Sequence, residues 1–101
     1  MYYNVMKAKD IVDVENGQFT RKPLIEKEES SFNIIAIKKD AIIDTHTSSA
    51  DAAVYVIDGE IEIHFDAQNF KISKGEVLMF KKDTQHKVVA IKDSKFFLIK
   101  I

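Results

Sequence analysis

Residues 52–65 read Ala52-Ala53-Val54-Tyr55-Val56-Ile57-Asp58-Gly59-Glu60-Ile61-Glu62-Ile63-His64-Phe65, two apolar, β-branched runs split by Asp58-Gly59. An Asp-Gly pair readily supplies the positive φ angles of a tight reversal. A two-residue turn there predicts an antiparallel hairpin in which Val56 faces Ile61, Val54 faces Ile63 and Ala52 faces Phe65. Side chains alternate along a strand. One face then carries Ala52, Val54, Val56, Ile61, Ile63 and Phe65; it is wholly apolar and is the expected core face. The other carries Tyr55, Ile57, Glu60, Glu62 and His64.

The same texture extends on both sides of this segment. Runs rich in β-branched and aromatic residues, separated by turn residues, predict strands over 32–38, 41–45, 52–57, 60–65, 70–72, 76–80, 85–91 and 95–101. Many short strands at regular spacing favour a barrel or sandwich, so the expected fold is all-β and antiparallel. No stretch predicts a long amphipathic helix. The first 31 residues are less regular. Residues 7–14 suit a short helical turn with Ile11, Val12 and Val14 as its apolar side. Glu15-Asn16-Gly17 reads as a turn, and 26–31 as a charged, solvated connector. The expected organisation is one domain, with residues 1–31 as an arm packing on a barrel of residues 32–101. In the last strand Phe96-Phe97-Leu98-Ile99 is apolar on both faces. Its outer face needs a cover, either residues 2–14 of the same chain or a second subunit.

Composition excludes several classes of function. The 101 residues contain no cysteine, hence no disulfide framework and no thiolate metal site or nucleophile. Fifteen Lys and Arg against sixteen Asp and Glu leave no basic stripe for nucleic acid, so no nucleic-acid partner is expected. No apolar run is long enough for a membrane helix, and the opening Met1-Tyr2-Tyr3-Asn4-Val5 lacks the basic start of a signal peptide, so no membrane partner and a cytoplasmic location are expected.

Three histidines are the chemical handles. Alternation puts His64 on the outer face, between Glu62 and Asp66. In Gln85-His86-Lys87-Val88-Val89-Ala90, His86 shares the inward face with Val88 and Ala90. An inward imidazole must satisfy its ring nitrogens with a backbone group, water, ligand or metal. His46 lies in Asp44-Thr45-His46-Thr47-Ser48-Ser49, a stretch that turn chemistry alone would also explain.

Together these segments resemble the cupin superfamily. Its first motif is Gly, five residues, His-x-His, three or four residues, Glu, six residues, Gly. Its second is Gly, five residues, Pro-x-Gly, two residues, His, three residues, Asn. Here Gly59 matches the end of the first motif and Gly75 opens the second; His46 matches the first histidine and His86 the histidine of the second motif. Ser48 stands at the second histidine and Ala52 at the glutamate, so two of the usual four metal ligands are missing. Asp40 replaces the first glycine, and Lys81, Asp83 and Ala90 replace Pro, Gly and Asn. With His46-Thr47, Asp51-Ala52 and the closing Lys95-Phe96-Phe97-Leu98-Ile99, the chain looks like a small single-domain cupin. The resemblance implies a conical β-barrel (a double-stranded β-helix or jelly roll), often a homodimer, and names no reaction.

The residues support three readings. The favoured one is a module that binds a small molecule in a pocket of His46, Ser48, Ala52, Val54, His86 and Val88, without a tightly held metal. The alternative is a metal-dependent cupin enzyme of oxygenase or isomerase type, with a divalent transition metal weakly held by His46 and His86. Catalytic metal sites usually present three or more protein ligands. The nearest carboxylate, Asp51, is one position out of phase and would need a bulge to reach inward. The third reading is a metal-free isomerase or epimerase with His46 or His86 as general base.

Overall fold

The computed structural model describes residues 3–101; Met1 and Tyr2, where the arm begins, lie outside the described residues. Among the described residues a 3-10 turn, Ala8–Asp10, is followed by nine strands: β1 Phe19–Glu26, β2 Ser31–Ile37, β3 Ile42–Thr47, β4 Ala52–Asp58, β5 Glu60–His64, β6 Asn69–Ser73, β7 Val77–Phe80, β8 Gln85–Ala90 and β9 Ser94–Lys100. The strands read from the sequence correspond to β2 through β9, with ends displaced by about two residues or fewer. They form two antiparallel sheets, one ordered β1-β2-β9-β4-β7 and the other β3-β8-β5-β6. Their inner faces meet in one core, in which Ile35, Val54, Val56, Ile61, Ile63 and Phe96 are buried. This is an antiparallel jelly-roll barrel.

The hairpin expected over 52–65 does not form. β4 ladders onto β9 and β7, whereas β5 ladders onto β6 and β8, and Asp58-Gly59 is the corner where the chain changes sheets. Gly59 has φ +86°, and a Cβ on it would lie 2.5 Å from the Asp93 carbonyl oxygen and closer still to Ser94 Oγ. The corner is therefore pressed against the turn that opens β9. Ser94 Oγ accepts the Glu60 N–H at 2.9 Å and donates to the Lys92 carbonyl at 2.7 Å, fastening the two sheets at this point. The expected core face survives the change of partner, since Ala52, Val54, Val56, Ile61 and Ile63 are all buried. Two strands folded as a hairpin and two strands facing each other across a sandwich share the same inward set, so alternation cannot tell the two arrangements apart.

β1 had no counterpart in the sequence reading, because Arg21-Lys22-Pro23 looks unlike a strand. It is an edge strand paired only to β2, with a register shift between Pro23 and Ile25. An edge is where proline, lacking its N–H, is tolerated. The segment 26–31 correspondingly holds the β1-β2 turn, closed by Lys27 N–H to the Ser30 carbonyl at 2.8 Å. β2 is covered on both sides. Asn33, Ile35 and Ile37 face the barrel, while Ile34 and Ala36 pack with Val12, Ile11, Val14, Ile57 and Phe97. Lys95 Nζ pins this arm by donating to the Asp13 carboxylate at 2.8 Å and to the Lys9 carbonyl at 2.6 Å. The outer face of β9 is thus covered from within the chain at Phe97. Farther along the same sheet, Tyr55, Val77, Met79 and Ile101 remain exposed.

Candidate functional site

β3 and β8 bring His46 and His86 directly opposite each other. A regular strand could not place His46 there. Ile43 pairs with Val88 and lines the barrel interior, and a residue three positions on would point out. The register shifts between Ile43 and His46, so that Asp44 and Thr45 together oppose the single residue Lys87. This extra residue changes the phase of the strand and turns His46 inward. The Asp44 carboxylate accepts the Thr45 N–H at 2.7 Å, which gives that backbone donor of the bulge a local partner.

The two imidazole rings touch, with centroids 4.2 Å apart and planes at 60°. His46 Nδ1 donates to the Asp44 carbonyl at 2.8 Å, and His86 Nδ1 donates to the Thr84 carbonyl at 3.1 Å. A carbonyl can only accept, so each neutral ring keeps its proton on Nδ1 and presents the Nε2 lone pair. His46 sits exposed at the mouth; His86 is only 6% exposed. Behind His86 lies the Phe80 ring at 4.5 Å. Burial lowers the pKa of His86 from its ordinary 6.5, helped by the nearby His46 and Lys100, against a hydrogen bond to Thr84 that raises it. Burial thus favours the neutral ring over the charged one.

Both histidines line a cavity of about 140 Å³ within the barrel. Of the other residues expected there, Val54 and Val88 form part of its wall, while Ser48 and Ala52 do not line it. Ser48 lies beyond the end of β3 and is buried with its hydroxyl donated to the Ala50 carbonyl. Ala52 is buried in register with Phe80 on one side and Lys100 on the other, and those two larger side chains line the cavity in its place. His64 stays apart, paired with Glu62 at 2.5 Å on the outside of β5. Asp51, the carboxylate nearest in sequence, accepts the Lys82 N–H at 2.8 Å and lies outside the cavity.

Sequence reasoning missed Arg21 and Lys100, which complete the polar lining. Lys100 is visible as the inward residue of β9 once β9 is registered against Ala52. Arg21 depends on β1, for which there was no sequence signal. Its Nη1 donates to Asn33 Oδ1 at 2.7 Å, and the buried Asn33 is itself fixed by donating to the Leu98 carbonyl at 3.1 Å and to Ser31 Oγ at 2.9 Å. Among the described residues no group of three or more His, Cys, Asp or Glu side chains converges. Two imidazoles beside a guanidinium and an ammonium do not make a donor set for a tightly held cation.

Comparison with known proteins agrees with this architecture. The family model described as a cupin domain matches residues 33–101. No curated protein matches the chain. A conserved protein of unknown function from Streptococcus pyogenes is similar in structure, with TM-score 0.90, 20% identity, and coverage of 100% of this chain and 89% of that one. A cupin superfamily protein from Desulfitobacterium hafniense superposes with TM-score 0.91 and 15% identity over 100% of this chain and 93% of that one. A cupin 2 conserved barrel protein from Leptotrichia buccalis reaches 27% identity with TM-score 0.82, over 92% of this chain and 45% of that longer one. The jelly roll, the paired histidines on β3 and β8, and the match across residues 33–101 all point the same way: the chain belongs to the cupin domain family.

Proposed function

We propose that this cupin binds a small molecule in the cavity around His46 and His86, without depending on a tightly held metal. The observation that carries the reading is a pair of touching imidazoles at the mouth of an otherwise mostly apolar cavity, with cationic rather than anionic neighbours. Apolar walls with a few convergent polar groups are the usual make-up of ligand sites. With both Nδ1 atoms committed to backbone carbonyls, the Nε2 atoms are free to accept hydrogen bonds from a ligand O–H or N–H. Val54, Val88 and Phe80 would hold the apolar part of the ligand. We further propose a cytoplasmic homodimer with no nucleic-acid or membrane partner; among the described residues no helix is long and apolar enough to cross a membrane.

A second reading, an enzyme of oxygenase or isomerase type using a weakly held divalent metal, draws support from the two free Nε2 atoms facing one cavity. Elemental analysis after growth in metal-supplemented medium separates the two. The binding-module reading expects far less than one transition-metal ion per chain. Near-stoichiometric iron, manganese, nickel, copper or zinc would overturn it in favour of the enzyme.

A further inference from the structure

The ionisable side chains that line the cavity are Arg21, His46, His86 and Lys100; none is acidic. Glu26, Glu28, Glu29 and Asp51 line the open groove outside the mouth, in solvent with Lys27 and Lys82, and none of them lines the cavity; Arg21 and Lys100 stand where groove and cavity meet. Among the described residues neither cation has a carboxylate within 4.0 Å. The Arg21 guanidinium spends one N–H on the buried amide of Asn33, which fixes its orientation and leaves its other donors free. Unpaired cations at the edge of an apolar space favour an anionic group there, and a planar guanidinium held in one orientation suits a carboxylate. The wall below is apolar, formed by Ile35, Val54, Phe80, Val88, Phe96 and Leu98. A cavity of about 150 Å³ is enough to take benzene, which sets the scale for this one.

We propose that the cavity takes a small carboxylic acid in its anionic form, with a compact apolar body inward and the carboxylate at the mouth, met by Arg21 and Lys100. This inference rests on the pocket reading above and adds the chemical class of the ligand. Arg21 belongs to β1, outside the residues that match the cupin domain model, so this half of the recognition is supplied by the chain's own N-terminal strand.

The test titrates the full chain with benzoate, benzamide and benzylammonium while following the imidazole and amide NMR signals of His46 and His86. Benzoate should shift them, benzamide should bind about tenfold more weakly or worse, and benzylammonium should leave them unmoved. Arg21→Gln and Lys100→Gln should each remove most of the preference for benzoate over benzamide. Raising the salt on the unmodified chain should weaken benzoate and spare benzamide, a readout that does not depend on how the variants fold. Equal binding of benzoate and benzamide would overturn the carboxylate inference while leaving the pocket standing. If none of the three probes perturbs the histidines, the pocket reading falls too.

Discussion

A buried histidine whose charged form is disfavoured makes the folded chain sensitive to acid at one ring. His86 is harder to protonate in the folded chain than in the unfolded one, where its pKa is close to 6.5. Between those two values the unfolded state binds the extra proton. Stability should therefore be complete above pH 6.5, fall as the pH is lowered through 6.5 toward the depressed folded value, and level off below it. Melting temperatures from pH 5 to 8 should show this decline, and His86→Phe, which keeps a ring against Phe80, should flatten it. An equally steep decline in that variant would mean that another group carries the acid sensitivity. The histidines also show what a single residue can reveal. His86 is legible from alternation within β8, but the inward turn of His46 depends on a bulge at Asp44 and Thr45 that no residue there announces. Family spacing found His46 where local periodicity alone would have placed it outside. Asp40 and Asp83 tell a similar story. They stand where the family motifs have glycine, and both adopt positive φ, 69° and 71°. The backbone shape is retained without the residue that usually permits it, and aspartate is among the few other types that tolerate it.

At the level of elements, the strand pattern is legible because burial imposes a two-residue period, and that period does not depend on which strand is the neighbour. Pairing partners were less legible. Asp58-Gly59 looks like a hairpin turn but serves as a corner between sheets, and the deciding feature is the long-range contact with Asp93 and Ser94. Gly59→Ala tests the corner. The new methyl would meet the Asp93 carbonyl and Ser94 hydroxyl at a positive φ, so a loss of about 2–4 kcal/mol is expected in denaturant unfolding. A loss below about 0.5 kcal/mol would mean that the corner relaxes freely and does not fasten the sheets. β1 is silent in the sequence for a related reason. An edge strand buries little, so the composition of Arg21-Lys22-Pro23 was free to drift away from strand-like residues, and the site's guanidinium was hidden with it.

Over the whole molecule, the apolar outer face of the five-stranded sheet is only partly covered from within the chain. The arm takes Phe97 through Val12 and its neighbours, while Tyr55, Val77, Met79 and Ile101 stay in water, with Met79 72% exposed. Contiguous exposed apolar side chains of this kind mark contact surfaces, and a two-fold partner would bury the same patch on both copies. Sedimentation at micromolar concentration should give twice the 11.6 kDa chain mass, and Met79→Lys should shift the population toward the single chain. A wild-type mass of 11.6 kDa would show that the patch is left uncovered.

The order of strands also bears on when the fold can form. β2 sits between β1 and β9, and β4 between β9 and β7, so the last strand is the centre of its sheet. While the chain emerges from the ribosome, β1 and β2 can pair, but the next edge of β2 waits bare until residues 94–100 appear. Contacts between distant parts of a chain form slowly, and unpaired edges invite pairing with other chains. Completion of the five-stranded sheet must wait until β9 is free to enter between β2 and β4, and the emergence of residues 94–100 becomes the event that commits the chain to its barrel.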